Sequence, residues 1–379
     1  MQQDLPTSAL DYELPESLIA TRPAEPRDSA RMLVMHRNSD EVEHRHVRDL
    51  PEYLRASDLM IFNDTQVIPA RFLAKRIDTG GKVEGLFLNR QPDSSWQVML
   101  RSNGRLRPSQ RIELVDLNAK PSGHVLELVG RVEDVGEGFG GEWVVRPDKP
   151  DTALAGLEEV GRTPLPPYIR RARHGETVAD ERDRRWYQTV YADPARAGSV
   201  AAPTAGLHFT PRLLEAIDAK GVERRQVTLH VGAATFKPIA AATVQAHRMH
   251  TEIYEVPPQT LEALRRAKLP ADGRQSPRVI AVGTTTVRTL ESLPPAADLD
   301  PNASQPITGE TDLLIAPPYE FRHVDGMLTN FHLPRSTLLA LVAAFVTVGG
   351  LDRLLAVYAE AVARAYRFYS YGDAMLILP

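Results

Sequence analysis

Between Arg71 and Val145 the chain alternates apolar and polar residues in short runs, KVEGLFL, SWQVML, RIELVDL, HVLELVGRVEDV and GEWVVR, separated by Gly, Asn, Asp, Ser and Pro. A period of two with no helical spacing predicts half-buried strands, and this many in succession predicts a small all-β unit closed as a barrel. On either side the texture is mixed. Leu59–Phe62 is an apolar strand-like run that breaks at Asn63-Asp64; QVTLHVGAATF, TDLLIA and GMLTNFHLP read as further strands, and RVIAVGTTTVRTLESL reads as strand, Gly turn and helix. The expected architecture is an α/β main domain with a mixed sheet, residues 1–70 and 150–379, carrying residues 71–149 as an inserted small β-barrel domain.

Helix signals are clearest in HFTPRLLEAIDAKG. Thr210 suits the N-cap, Pro211 the first turn, Phe209 and Leu214 a hydrophobic staple, and Gly221 the stop. A second helix follows Pro334. In RLLAVYAEAVARAYRFY, Leu354, Val357, Tyr358, Ala361, Val362, Ala365 and Tyr366 fall on one apolar face. The most apolar window, Thr337–Val348, is shorter than the ~20 residues of a membrane span and reads as a buried helix. RRAKLPADGRQSPR and SLPPAADLDPNASQPITGE read as Pro-rich surface loops.

Composition narrows the chemistry. With 379 residues, 42% of them apolar, the chain can bury a large core. It has no cysteine, which excludes disulfides, thiolate metal sites, iron–sulfur clusters and a cysteine nucleophile. Any metal would need His and carboxylate ligands; no tight ligand spacing supports one, and none is expected. The acidic N-terminal segment has no signal character, so a cytoplasmic location is expected. A formal net charge of −4 offers no global case for nucleic acid. Local basic patches exist, Arg101, Arg105, Arg107 and Arg111 in one, Arg170, Arg171, Arg173, Arg184 and Arg185 in another, and on charge alone they read as solvated faces. Gly136, Gly138 and Gly140 imitate a nucleotide-binding loop but precede the strand-like EWVVR, which predicts a hairpin.

Candidate chemistry gathers at strand ends, where open α/β sheets place ligands. Gly283 followed by Thr284, Thr285 and Thr286 suits a helix start facing a phosphate, carboxylate or ribose, or ordinary capping with Arg288 outside. His208 sits two residues before a helix start, among the small residues Ala201, Ala202, Ala205 and Gly206, which leave room for a ligand. His230 ends a strand, His250 lies in HRMHTEIYE, and His332 precedes another helix start, with Asn330 alongside.

Together these segments resemble the S-adenosylmethionine:tRNA ribosyltransferase-isomerases of queuosine biosynthesis. The likeness runs from DYELPESLIATRPAEPRDSARMLV through FNDTQVIPAR, GGKVEGLFL, GRTPLPPYI, YQTVYADPARAGSVAAPTAGLHFT, LHVGAATFKPI, HRMHTEIYEV, VIAVGTTTVRTLES, TDLLIAPPYEF and LTNFHLPRSTLLALVAAF to YRFYSYGDAMLIL. It departs at Ala234, where Gly is expected, and at Thr163, where Met is. The resemblance implies transfer and isomerisation of the ribosyl part of S-adenosylmethionine onto 7-aminomethyl-7-deazaguanine at the tRNA wobble position, giving epoxyqueuosine, adenine and methionine. S-adenosylmethionine is then a consumed substrate, tRNA the partner, and no cofactor is required. It also implies an α/β main domain with an inserted β-barrel.

Placement, not the resemblance, selects residues for that chemistry. His208 is the expected principal acid/base, with His332 and His230 for the second proton or for orienting the adduct. Asn63, Asp64 and Thr284–Thr286 are expected to hold the ribose or methionine ends, and Asp312 to read the guanine-like edge. Tyr191, Tyr319 and Tyr371 are candidate stacking platforms, although for each of them packing is the commoner role. Lys82, Arg196, Arg335, Arg364 and Arg367 are expected to meet tRNA phosphates. A monomer that does not bind membranes is expected. The alternative is a non-catalytic tRNA-binding adaptor on the same scaffold.

Overall fold

Four strands, Leu59–Asn63, Val279–Val282, Gly326–Asn330 and Ala374–Leu378, are buried at every position, as strands covered on both faces must be. They form the centre of a mixed sheet in the computed structural model, which describes residues 4–132, 141–166, 168–169, 180–232, 239–270 and 276–379. The Gly136–Gly140 hairpin, Arg170, Arg171, Arg173 and Ala234 lie outside the described residues.

In chain order the strands are β1 Arg31–His36, β2 Val42–His46, β3 Leu59–Asn63, β4 Gln66–Val67, β5 Arg71–Arg76, β6 Lys82–Arg90, β7 Trp96–Ser102, β8 Arg111–Val115, β9 Pro121–Arg131, β10 Gly141–Pro147, β11 Ala197–Ser199, β12 Glu223–Leu229, β13 Glu252–Val256, β14 Val279–Val282, β15 Ile307–Thr311, β16 Gly326–Asn330 and β17 Ala374–Leu378. The helices are α1 Leu50–Tyr53, α2 Ala153–Val160, α3 Asp180–Trp186, α4 Pro211–Ala219, α5 Pro258–Lys268, α6 Thr284–Glu291, α7 Thr337–Phe345 and α8 Gly350–Ala363.

The large sheet has the order β15-β13-β12-β3-β14-β16-β17-β1-β2. β12, β3, β14 and β16 are mutually parallel, so their carboxyl ends share one edge. Alternation along β3 sends Leu59 and Ile61 into a core with α5, α6, α7 and α8, and Met60 and Phe62 into a second core with α4. β5 to β10 close into an antiparallel barrel in the order β10-β7-β6-β5-β8-β9. Phe72, Val83, Trp96, Val98, Leu100, Ile112 and Leu126 fill its interior. Gly85 makes room for that filling, because a Cβ there would lie 2.1 Å from the Phe72 ring. The expected combination of a mixed α/β sheet with a small β-barrel therefore holds.

Local signals fare unevenly. Thr210 caps α4 as expected, its hydroxyl accepting the Leu213 N–H at 3.2 Å, and Gly221 ends the turn at φ +82°. Thr337–Phe345 is a buried helix, and no single helix among the described residues is long and apolar enough to cross a membrane. Four expectations need correction. TDLLIA is not a strand: β15 ends at Thr311, and the pairing with β13 covers the preceding polar residues instead. α8 stops at Ala363, and Ala365 is exposed at φ +53°, off the buried face. The supposed loop from Arg265 begins inside α5, whose last turn contains Arg265, Arg266 and Lys268. Finally, the end of the second Pro-rich segment, Ile307 to Glu310, lies in β15.

Candidate functional site at the carboxyl edge of the sheet

The central parallel strands deliver polar residues to one edge in the middle of a buried core. Asn63 ends β3 fully buried, its amide donating to the Leu229 carbonyl at 3.0 Å and its carbonyl accepting the Leu229 and Thr65 N–H groups at 3.1 and 3.2 Å. These bonds clamp β3 to β12. Asp64 follows; one carboxylate oxygen accepts the Thr228 hydroxyl at 2.6 Å, and burial raises its pKa above the ordinary value despite that bond. At the end of β12, His230 Nδ1 lies 2.9 Å from the Thr65 hydroxyl. Burial, with Arg196 nearby, lowers the His230 pKa.

On the other side of β3, β14 runs into Gly283 at φ +90° and then α6. That positive φ favours glycine. Gly283 itself is the N-cap, without a side-chain cap; the three threonines occupy the first helical turn. All eight residues of α6 are buried. Helices buried all round are usually apolar; here the Thr286 and Thr289 hydroxyls are satisfied by the Val282 and Thr285 carbonyls one turn back, at 2.8 and 3.0 Å. Thr285 also accepts the Asn63 amide at 3.4 Å, linking β3 to α6.

β16 carries a second cluster. Asn330 accepts the Thr204 hydroxyl at 2.9 Å, and its Nδ2 contacts His208 Nε2 at 3.1 Å. An amide nitrogen only donates, so His208 Nε2 accepts and neutral His208 carries its proton on Nδ1. His208 is 4% exposed, and burial pushes its pKa down to about 4, the Asp373 carboxylate opposing only in part. His332 Nε2 lies 2.9 Å from the Thr329 hydroxyl, and burial pushes its pKa down to about 3. Both imidazoles are neutral near pH 7.

The edge thus has two centres, Asn63/Asp64/Thr65/His230 and Thr204/His208/Asn330/His332, with Gly283–Thr285 between them. Other expected residues are dispersed. Asp312 is exposed after β15, three strands from β3, or about 14 Å across the sheet. Lys82 is exposed at the start of β6. Arg196 pairs with Glu255 at 2.7 Å, Arg364 with Glu360 at 2.8 Å, Arg367 with Asp373 at 3.6 Å, and Arg335 with Asp11. Tyr371 is buried edge-on to Tyr187 at 6.0 Å, while Tyr191 and Tyr319 are half-buried, edge-on to Phe62 at 5.0 Å and against Phe321. Among the described residues no three His, Asp or Glu side chains converge as a metal site.

Arg288 is not outside. It is buried against Glu252, Nη1 to Oε2 at 2.5 Å, with its Nε donating to the Leu313 carbonyl at 3.2 Å; Glu252 also accepts the Gly232 N–H at 2.9 Å. Neither residue stands out as a pair in the sequence, where they are 36 positions apart. His230, Gly232, His250 and Glu252 line one wall of a cleft of about 600 Å³, and Phe87, Gln97, Met99 and Glu142 of the barrel line the other.

Fold and site together define an α/β protein with a barrel across a cleft from its strand ends, carrying neutral proton-handling groups where such sheets hold ligands. The chain belongs to the queuosine biosynthesis protein family, whose model matches residues 7–377. Two S-adenosylmethionine:tRNA ribosyltransferase-isomerases illustrate the likeness. That of Thermotoga maritima is 44% identical over 372 residues, covering 98% of this chain and 99% of the relative. That of Methylorubrum extorquens is 48% identical over 376 residues, covering 97% and 96%. The crystal structure of S-adenosylmethionine tRNA ribosyltransferase from Thermotoga maritima matches at a TM-score of 0.52 with 35% identity, covering 98% of this chain and all of that one.

Proposed function

We propose that the chain is an S-adenosylmethionine:tRNA ribosyltransferase-isomerase that moves the ribosyl group of S-adenosylmethionine onto 7-aminomethyl-7-deazaguanine in tRNA, giving epoxyqueuosine-tRNA, adenine and methionine. S-adenosylmethionine is consumed as a substrate. The observation that carries this reading is the pair of buried, neutral imidazoles, His208 and His332, at the carboxyl edge of the sheet in a chain of this family.

The chemistry explains why neutrality matters. The sulfonium acidifies the adjacent 5′ carbon, so a neutral base can take a proton there and begin opening of the furanose and loss of adenine. The amine then bonds to the ribosyl carbon, and methionine leaves as a neutral thioether. One positive charge enters with the sulfonium, and one proton is released overall. His208 is the proposed base; its Nε2 lone pair is held by Asn330 until the substrate arrives, so Asn330 must turn for proton transfer. His332 and His230 are the proposed second proton carriers. Asn63, Asp64 and Thr284–Thr286 are proposed to hold the ribose and methionine ends.

The test is release of adenine and methionine from S-adenosylmethionine, with and without tRNA bearing 7-aminomethyl-7-deazaguanine, for wild type and His208→Ala at matched tRNA binding. Loss of release by the variant with binding retained supports the assignment. Undiminished release removes His208 from the chemistry, and wild type that binds tRNA without releasing adenine establishes an adaptor instead.

A further inference from the structure

We propose that the outer face of β7 and the loop after it form a docking surface for an RNA phosphodiester backbone, continuous with the cleft between barrel and sheet. The proposal rests on the functional reading above and says where on the chain the polynucleotide is held. The arginines near the sheet edge, Arg196, Arg335, Arg364 and Arg367, each have a carboxylate partner. Arg101, Arg105 and Arg131 differ. All three are exposed and surround a depression of about 400 Å³ whose walls include Ser102, Gly104 and Trp143, and no carboxylate among the described residues pairs with any of them.

The depression is held in shape by the barrel. Arg76 Nη2 donates to the Ser102 hydroxyl at 2.8 Å and to the Gly104 carbonyl at 2.5 Å, which fixes the loop between Arg101 and Arg105. A Cβ at Gly104 would come to 3.0 Å from that guanidinium, a tight contact that glycine avoids. Trp96, Val98 and Leu100 point into the barrel; alternation therefore places Gln97, Met99 and Arg101 on its outer face. Gln97 and Met99 line the cleft. Arg101 is the next outward residue, about 7 Å farther along the strand, so the cleft wall runs directly into the arginine cluster. Glu84, opposite Arg101 on β6, is engaged by Arg71 at 2.7 Å, so the three guanidiniums make no ion pair among the described residues, and a polyanion relieves their mutual repulsion. Guanidinium forks match phosphate oxygens, and contacts to a backbone carry no sequence requirement.

The experiment measures binding of an in vitro transcribed tRNA against salt concentration for wild type, R101A/R105A/R131A and R101K/R105K/R131K, with thermal melts to verify folding. Removing three phosphate contacts should weaken binding about 100-fold at 0.1 M salt and reduce the slope of log affinity against log salt by about 2 to 3. The lysine variant should keep the slope. Arg105→Glu alone, on an exposed loop, should weaken binding at least about tenfold, a reading that does not depend on the triple variant's fold. Unchanged affinity and slope in the folded alanine variant would overturn the proposal, as would equal loss of polyglutamate binding, which would make the patch a site for acidic proteins. Wild type that binds tRNA but releases no adenine even when the tRNA bears 7-aminomethyl-7-deazaguanine refutes the functional reading while the affinities still judge the surface; wild type that does not bind tRNA refutes both.

Discussion

Replacing Glu252 by Gln should destabilise the fold by about 3–5 kcal/mol, the cost of stranding a buried charge. The size follows from burial: the Glu252 and Arg288 side chains are 4% and 3% exposed, so water cannot take over when the carboxylate is lost. Gln can still accept the Gly232 N–H through its carbonyl, which isolates the loss of charge from the loss of that bond. With an unfolding entropy of about 2.1 cal/mol/K per residue, a chain of this length loses about 4–6 °C in Tm. Differential scanning calorimetry should be run on wild type, E252Q and E252Q/R288M. The double variant removes both charges and leaves an apolar chain along the path of the arginine stem, so it should regain most of the loss. A single variant that melts within 1 °C of wild type, or a double variant no more stable than the single, would refute the argument. The pair ties the start of β13 to α6 and braces the Gly232 turn; adenine release by E252Q should therefore fall even at temperatures where the variant is folded.

Other outcomes follow from single contacts. His208 and His332 have pKa values pushed down to about 4 and about 3, so as pH falls from about 6.5 the unfolded chain takes up protons before the folded one; their contribution is undiminished above 6.5 and stability should decline steadily toward pH 4. Urea titrations at stepped pH measure this, and replacing both histidines by Asn or Gln should flatten the dependence. A Cβ at Gly206 would lie 2.0 Å from the Tyr191 hydroxyl, so Gly206→Ala should cost about 1–3 kcal/mol, and Tyr191→Phe should restore part of it in the double variant; equal melting of the two would count against the clash. Thr210→Ala removes the α4 cap and a 2.9 Å bond to Asp28, and should lower stability by about 1 kcal/mol in the same titrations.

The fold was legible where burial acts on a short period. The barrel strands alternate because one face packs on Trp96 and Phe72 and the other meets solvent, and Thr210-Pro211 starts a helix by local chemistry alone. Sequence reasoning failed where distant contacts decide. TDLLIA is more apolar than the ITGET that forms β15, yet ITGET has the β13 backbone beside it. Arg288 reads as a solvent-facing residue because its counterion, Glu252, comes from another strand. Asn63, Thr284 and His230 are legible as strand-end residues because they follow apolar runs, whereas His208 ends a short turn, Thr204–His208, ahead of α4. Asn330 was noticed only as a neighbour of His332, and nothing local indicated that it would reach His208, 122 positions away. At Arg101 and Arg105 the signal is the lack of a carboxylate partner among the described residues, which becomes visible only in three dimensions.

Burial makes the two clusters at the sheet edge unlike in a way that bears on the proposed reaction. A sulfonium approaching an imidazolium would be repelled, and a base already protonated could not accept the 5′ proton. Desolvation removes both obstacles at His208 and His332 by holding them neutral, but it also makes them weak bases. The substrate itself offers the compensation: the carbanion left at the 5′ carbon is stabilised by the adjacent sulfonium, which persists until methionine leaves, and at His208 the Asp373 carboxylate favours the imidazolium against Arg367 and Arg27. His332 has no such carboxylate among the causes of its shift, and His230 has Glu255 nearby but Arg196 closer in effect. The largest charged influence is the Asp373 carboxylate at His208 but the Arg196 guanidinium at His230, and burial alone acts at His332, so the order in which the histidines matter should be His208 first.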